Sequence, residues 1–414
     1  MYSVKDISLA TQGEKQIELA ELRMPGLMKI RERFRKEQPL SGYNVGMALH
    51  ITKETAVLVK TLTEAGAKVS IAGCNPLSTQ DDVAAALANQ GFDVFGWKGQ
   101  TKEEYYANIN KVLDAKPNIT IDDGCDLVYL VHTERTDLLK NIIGGAEETT
   151  TGVIRLRAME KDNVLKYPII AVNDSSTKHL LDNYVGTGQS TLDGIIRATN
   201  ILIAGKNVVI CGYGNCGKGV ANRAKGLGAN VIVTEINPIN ALQAVYDGFR
   251  VMPINKASEI GDIFITITGD KHVITLENMK KMKNGAILAN SGHFNIEIDL
   301  DSLEKNATKR KIRPFMDEYT LNGKKIFVLG EGRLINLVAA EGHPSEIMST
   351  SFMDQSLALE YLVKNKGKLE SKVYVLPEEV DKMVAHLQLE ALGIQIDNLT
   401  PEQQKYLSSW QEGT

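Results

Sequence analysis

The residues best placed to do chemistry begin with three glycines. Gly212, Gly214 and Gly217 give the G-x-G-x-x-G spacing, directly after the apolar run Asn207–Cys211 and before a helix-like segment. The first glycine permits a tight turn and the second lets backbone approach a pyrophosphate. The third allows close packing of helix on strand, with the helix N-terminus facing the phosphates. Glu235 ends the next apolar run, where a carboxylate can accept both ribose hydroxyls of an adenosine half and repel a 2′-phosphate, so NAD is expected over NADP. The same loop nearly spells a triphosphate-binding loop, Gly212-x4-Gly217-Lys218. Position 219, however, is Gly where a magnesium-binding Ser or Thr is required. The bland alternative, a tight turn without a ligand, is disfavoured by the strand, helix and terminal acid occurring together.

Other polar residues follow apolar runs. His50 follows "VGMAL", Asn75 follows "VSIAGC", Asp123 follows "ITID", and Asn173-Asp174 follow "PIIAV". Glu147, Glu148, Thr149, Thr150 and Thr151 form a polar turn before the helix-like "GVIRLRAMEK"; taken alone, they read as cap chemistry offsetting a helix dipole. Lys178 and Asp182 lie four apart in "TKHLLDN", which by itself reads as an ordinary surface ion pair. His293 in "NSGHFNIE" and His343 in "AAEGHPS" are isolated. None of these pairs has metalloenzyme spacing and no metal is assigned.

The elements that must position these groups alternate between strand and helix. One series comprises "YNVGMALH", "AKVSIAG", "FDVFGW", "NITIDDG" and "PIIAVND", separated by segments such as "KETAVLVKTLTEAG" and "TQDDVAAALANQG". A second comprises "NVVICG", "NVIVTE", "FRVMP", "DIFITITG", "GAILAN" and "KIFVLGEG". Two doubly wound α/β lobes with parallel sheets are expected. The helix-like "GQSTLDGIIRATNILIAGK" forms the hinge, and beyond Gly332 the chain is mainly helical.

At 414 residues the chain accommodates two or three domains. Its net charge of −4 gives no electrostatic case for nucleic acid or an anionic membrane as main partner. No run approaches the ~20 apolar residues that span a bilayer, and the N-terminal residues lack a signal peptide's apolar core. Cys74, Cys125, Cys211 and Cys216 show neither CxxC spacing nor a disulfide framework. A reduced cytoplasmic enzyme is expected.

In order, "LHITKETAVL", "GCNPLSTQDDVAAAL", "DDGCDL", "EETTTGV", "NDSSTKHLLDN", "GYGNCGKG", "TEINPINALQA", "NSGHFNIEID", "EGRLINL" and "GHPSEIMSTSF" resemble the S-adenosylhomocysteine hydrolases across about residues 40 to 360. The resemblance implies a cytoplasmic homotetramer with tightly held NAD. It implies a substrate lobe of residues 1–183 and 345–382, an NAD lobe of 188–342, and a C-terminal oligomerisation segment of 383–414. It also implies that redox chemistry serves a net hydrolysis. Oxidation of the ribose 3′-hydroxyl acidifies the C4′ proton, whose loss expels homocysteine thiol from C5′. Water then adds, and the ketone is reduced again.

Carried onto this sequence, the resemblance makes Lys178 the base or charge partner at the 3′-hydroxyl, with Asp182 and Glu148 holding the ribose. A lysine serves as base where burial and neighbours lower its pKa. Asp123 and His50 share proton transfer at C4′ and at the leaving sulfur or water. Asn183 orients Lys178 and the nicotinamide, while His293 contacts the substrate near its 5′ side. His343, with Phe294, resembles a gate on the homocysteine channel. Thr149, Thr150, Thr151, Asn183, Asn240, Asn336 and His343 match cofactor contacts beside the glycine loop. Thr52 and Glu54 match the pair reading the adenine edge, which favours adenosine; some relatives use S-inosylhomocysteine instead. Thr187 stands where many members place a cysteine. A C-terminal tail carrying Lys and Tyr to a neighbouring subunit's NAD has no counterpart here, and Lys405 and Tyr406 are not assigned that role.

Overall fold

The computed structural model describes residues 1–411. Its strands are β1 (Tyr2–Ser3), β2 (Asn44–Ala48), β3 (Lys68–Ala72), β4 (Asp93–Phe95), β5 (Ile119–Asp122), β6 (Gly144–Glu147), β7 (Ile169–Ala171), β8 (Asn207–Cys211), β9 (Asn230–Thr234), β10 (Arg250–Val251), β11 (Ile263–Thr266), β12 (Ala286–Asn290), β13 (Thr308–Arg313), β14 (Met316–Leu321), β15 (Lys324–Leu329) and β16 (Val373–Tyr374). One sheet has the order β1-β4-β3-β2-β5-β6-β7-β16, with every pair parallel. The other has the order β10-β9-β8-β11-β12-β15-β14-β13, parallel as far as β15. The central strands read as unbroken apolar runs because helices cover both faces of such sheets.

The two lobes share one topology. In the first sheet β2, β3 and β4 run outward from the centre and β5, β6 and β7 run the other way; in the second, β8, β9 and β10 correspond to the former and β11, β12 and β15 to the latter. Strand order therefore reverses between β2 and β5, and again between β8 and β11. Ligands in open α/β sheets gather beyond the carboxyl ends at such a reversal. His50 follows β2, Asp123 follows β5 and the glycine turn follows β8, so the sequence-selected residues flank both reversals.

Several elements depart from the expected pattern. Strand β6, "GGAE", was not expected because Gly, Ala and Glu are poor strand formers. Close packing explains its composition: a Cβ on Gly145 would overlap the Thr120 hydroxyl, and one on Gly144 would lie 2.6 Å from Leu362. The antiparallel hairpin β14–β15 adds an edge to the second sheet. Its two-residue loop, Asn322-Gly323, has φ of 50° and 78°, the Asn-Gly signature of a tight hairpin turn. The hinge helix is shorter than expected. It runs over Thr187–Thr199 and stops at Asn200, whose left-handed backbone (φ 57°) caps it.

The helix Ser345–Lys364 returns to the first lobe, where Phe352, Met353, Leu357 and Leu362 join the core around Leu27, Ile30 and Phe34. Strand β16 then extends that lobe's sheet beside β7. The C-terminal part ends in the helices Glu378–Ala391 and Pro401–Leu407. The last three residues of the expected segment 383–414 lie outside the described residues. No described helix is long and apolar enough to cross a membrane.

Candidate active site

Between the lobes lies a cavity lined by Leu49, His50, Thr52, Glu54, Asp123, Glu148, Lys178, Asp182, Asn183, His293, Asn336 and His343, among others. It continues into a groove lined by Thr149, Thr150, Thr151, Gly212, Gly214, Glu235, Asn240 and Thr268. Of the sequence-selected residues, Asn75, Glu147, Phe294 and Gly217 line neither; the candidate catalytic and substrate residues and the remaining cofactor residues line one or the other. Gly217 sits beneath the groove, where a Cβ would overlap the Gly212 carbonyl, as its packing role requires.

Lys178 and its partners are carried by a π-helix, Lys178–Gly186, that runs directly into the hinge helix. Hydrogen bonds to the fifth residue onward widen this turn. Positions i+4 and i+5 then straddle the side chain at i, whereas five steps of ~100° in an α-helix would turn i+5 well away. Accordingly Lys178 Nζ meets Asp182 Oδ2 at 3.4 Å and donates to Asn183 Oδ1 at 2.9 Å. Asn183 Nδ2 donates to Asn173 Oδ1 (3.0 Å), which also accepts from the Thr150 hydroxyl (3.2 Å). Glu148 Oε1 stands 3.2 Å from Lys178 Nζ.

These groups are buried, and burial alone would neutralise each of them. It pulls Lys178 down, but the Asp182 and Glu148 carboxylates outweigh it and hold the ammonium above the ordinary lysine range. The lowered pKa that a lysine base requires is therefore not met here. Asp182 is pushed up by burial and pulled further down by Lys178 and His343, so it stays ionised. Glu148 moves the other way: burial outweighs Lys178 and carries its carboxyl to about 7.

Two partners come from the returning helix Ser345–Lys364. Ser351 Oγ donates to Asp182 Oδ2 (2.6 Å) and Gln355 Nε2 donates to Glu148 Oε2 (2.6 Å). The signal available in the sequence is the density of polar residues in this helix, of which Ser351, Asp354, Gln355 and Ser356 are all buried.

At the opposite wall, His50 Nε2 lies 3.2 Å from Asp123 Oδ2, while His293 Nδ1 reaches across from the second lobe to within 3.5 Å of Asp123 Oδ1. Ser78 Oγ holds His50 Nδ1 at 2.7 Å. Burial lowers His50 to about 4, against the opposing pull of Asp123, so its imidazole is neutral at neutral pH. His343 Nδ1 contacts Asp182 Oδ1 at 2.6 Å and its Nε2 faces Thr187 Oγ1 at 3.2 Å. The expected pairing of His343 with Phe294 differs here: Phe294 packs edge-on against His293, with centroids 4.6 Å apart. Cys216, also in the cavity wall, lies 3.7 Å from the Thr187 hydroxyl, so a thiol borders the site from the glycine loop instead of the hinge.

Thr52 and Glu54 open the helix Lys53–Glu64. The Thr52 hydroxyl caps it, accepting from Thr55 N–H. Glu54 Oε1 accepts from Ser345 Oγ at 2.6 Å, with Lys53 Nζ 3.6 Å away. Lys53 also bridges the lobes, binding Glu341 Oε2 at 2.7 Å, and Arg197 meets the other oxygen at 3.4 Å.

The groove suits a dinucleotide. Gly212 adopts φ 110° at the tight turn, and nothing lies within 4 Å of a Cβ built on Gly214, so its backbone faces open space. Glu235 is oriented by the N–H groups of Tyr213, Ile236 and Asn237, two on Oε1 and one on Oε2, which leaves a lone pair on Oε2 for a ribose hydroxyl. Asn336 donates to Ser190, while its Oδ1 is buried without a partner and can accept from the nicotinamide carboxamide. Gly219, which excluded a triphosphate loop, is glycine because the π-helix rests on it: a Cβ there would overlap the Tyr184 carbonyl oxygen.

Fold and site together define a two-lobed α/β enzyme that binds NAD beside a small-molecule cavity. Residues 183–342 match the S-adenosyl-L-homocysteine hydrolase NAD-binding domain, and residues 1–137 match S-adenosyl-L-homocysteine hydrolase. The chain is 61% identical to an S-inosyl-L-homocysteine hydrolase of Methanocaldococcus jannaschii, over 100% of both chains. It is 60% identical to an adenosylhomocysteinase of Saccharolobus solfataricus and 58% identical to one of Sulfolobus acidocaldarius, again over 100% of each chain. The chain belongs to the S-adenosylhomocysteine hydrolase family and is an NAD-binding hydrolase.

Proposed function

We propose that the enzyme reversibly hydrolyses S-adenosyl-L-homocysteine to adenosine and L-homocysteine. The observation that carries this reading is the continuity of the Lys178–Asp182–Glu148 cluster with the groove at Gly212 and Glu235. A ribose held at the cluster lies beside a nicotinamide held at Asn336. NAD bound there supplies transient oxidation at the ribose 3′ carbon and the matching reduction. Asp182 and Glu148 bind the ribose hydroxyls, and the Lys178 ammonium stabilises the developing 3′ oxyanion. Glu148, poised near neutral pH, receives the hydroxyl proton.

Asp123 and the neutral His50 take the C4′ proton and deliver it to the departing sulfur; in the return half they deprotonate the attacking water. His293 fixes Asp123 and closes the 5′ side. His343 keeps Asp182 oriented at the hinge. Thr149, Thr150, Thr151, Asn183 and Asn240 support the cofactor alongside Asn336.

Glu54 accepts from the exocyclic amine of adenine and the Thr52 hydroxyl complements the ring, which favours adenosine. A second reading, the inosyl substrate, is favoured by the Lys53 ammonium beside Glu54, a donor suited to a 6-oxo group. Purified enzyme offered either thioether under identical conditions decides between them. Faster thiol release from the adenosyl compound, without accumulation of NADH, is expected; preference for the inosyl compound overturns the adenosine assignment. Absence of thiol from both overturns the hydrolysis itself.

The domain division expected from sequence accompanies this reading, as does a cytoplasmic homo-oligomer of four chains. Exposed Ile394, Ile396, Leu399, Leu407 and Trp410 support a role for the C-terminal segment in that assembly, because exposed apolar groups clustered on one segment favour a protein contact. Light scattering of the intact protein measures its size.

A further inference from the structure

The proton-transfer wall contains a third group that the reaction does not use. Cys74 follows β3, and its thiol donates to Asp123 Oδ2 at 3.5 Å, the same oxygen that faces His50 Nε2 at 3.2 Å. One ligand atom from each of His50, Cys74 and Asp123 lies within 4.8 Å of the others. The three come from the ends of three adjacent strands, so no spacing in the sequence announces them.

The two distances to Asp123 match a specific ion. A tetrahedral zinc with ordinary bond lengths separates a nitrogen from an oxygen ligand by ~3.4 Å and a sulfur from an oxygen ligand by ~3.6 Å. The support for the imidazole is also in place. His50 Nδ1–H can donate to Ser78 Oγ, which in turn donates to the Asn75 carbonyl. A zinc-bound histidine depends on such an outer partner to fix its ring and expose Nε2. Nitrogen, thiolate and a single carboxylate form a zinc-type set and a poor one for magnesium or calcium. His50 and Asp123 line the cavity while Cys74 lies behind them, so a fourth position opens toward the substrate space.

We infer that His50, Cys74 and Asp123 form a reversible inhibitory site for a zinc-class divalent cation. Binding exchanges the Cys74 thiol proton for a metal–sulfur bond and occupies the two groups that move the C4′ proton. Metal and nucleoside then compete for one space, and the NAD groove is untouched.

Cobalt(II), a spectroscopic stand-in for zinc, tests this on the NAD-loaded enzyme. One cobalt per chain is expected, with thiolate charge-transfer absorption. Cys74→Ala should abolish that absorption and weaken binding at least ~10-fold, the scale on which the loss of a metal site's partner acts. Cys216→Ser should keep the band, since its thiol sits beside Thr187 and is not one of the three clustered ligand atoms. Zinc should inhibit thiol release, adenosine should protect, and a chelator should restore turnover. Retained NAD in Cys74→Ala shows that the variant is folded; should it lose NAD, His50→Gln provides the same cobalt readout. A thiolate band that persists in Cys74→Ala, no cobalt uptake by the parent enzyme, or equal zinc inhibition of parent and variant overturns the proposal.

Discussion

His293 of the second lobe packs directly onto the backbone of Gly124 in the first, so closely that a Cβ at 124 would overlap its ring. Gly124 also adopts φ 108°, a conformation that L side chains adopt only with strain. Gly124→Ala is expected to displace His293 from Asp123 and reduce kcat/KM at least ~100-fold, the scale of a 1 Å misplacement at reacting groups. NAD content should stay normal because the glycine turn at Gly212 and Gly214 and the carboxylate of Glu235 are untouched. Unchanged turnover would remove this contact from the site.

Lys178→Ala should retain NAD and lose 3′-oxidation, with kcat down by ~10³-fold, as when a charge stabiliser of the transition state is removed. The variant also leaves Asp182 and Glu148 facing each other without a cation, so its thermal midpoint should fall. Cofactor absorbance during a single turnover separates the two effects. Normal oxidation in the variant would exclude Lys178 from the chemistry.

The Lys53–Glu341 bridge joins the lobes, with Lys53 buried. Lys53→Met should favour opening and raise KM for the nucleoside by ~5- to 30-fold, equivalent to 1–2 kcal/mol, with a smaller effect on kcat. An unaltered KM would mean that the bridge contributes nothing to closure.

Glu54→Gln replaces an acceptor-only group with one that can also donate through its amide. The ratio of kcat/KM for adenosyl over inosyl substrate should fall by ~10-fold, because a neutral amide discriminates less sharply between a 6-amino and a 6-oxo edge. An unchanged ratio would place base recognition elsewhere in the cavity.

Asp122 lies wholly buried beneath the site, and burial, opposed by the Val128 N–H, carries its carboxyl from 3.8 to about 7. Its folded pKa exceeds the unfolded one, so the stability it contributes is complete below about pH 4 and is lost as pH rises toward 7. The linked loss is on the order of 4 kcal/mol. Asp122→Asn removes this dependence while losing one acceptor at every pH. Its midpoint relative to the parent should therefore improve by several degrees between pH 5 and 8. A pH-independent difference would place the titration on another group.

The two sheets and the dinucleotide turn were legible because parallel strands buried on both faces write themselves as apolar runs. The glycine spacing likewise follows from backbone geometry. Strand β6 was not legible: its Gly144 and Gly145 answer to Leu362 and Thr120, neighbours remote in sequence. The Asn322-Gly323 turn carried its own signal and marks a hairpin that the alternation of lobes had obscured. Lys178 and Asp182 were legible as a pair, but the role of Asn183 depends on a π-turn that no periodicity foretells. Ser351 and Gln355 enter the site only because the C-terminal helix comes back to the first lobe. The charge state of Lys178 was left open by the sequence for a similar reason, since burial was foreseeable and the balance of two carboxylates against it was not.

The close seat of the π-helix on Gly219 also constrains how this sequence can change. Serine or threonine at 219 would complete a triphosphate-binding signature in a single step, yet its Cβ would push the Tyr184 carbonyl away and unseat the helix that bears Lys178, Asp182 and Asn183. A lineage carrying this hinge is thereby separated from triphosphate chemistry by a steric barrier at one backbone crossing, although the two signatures differ there by a single residue.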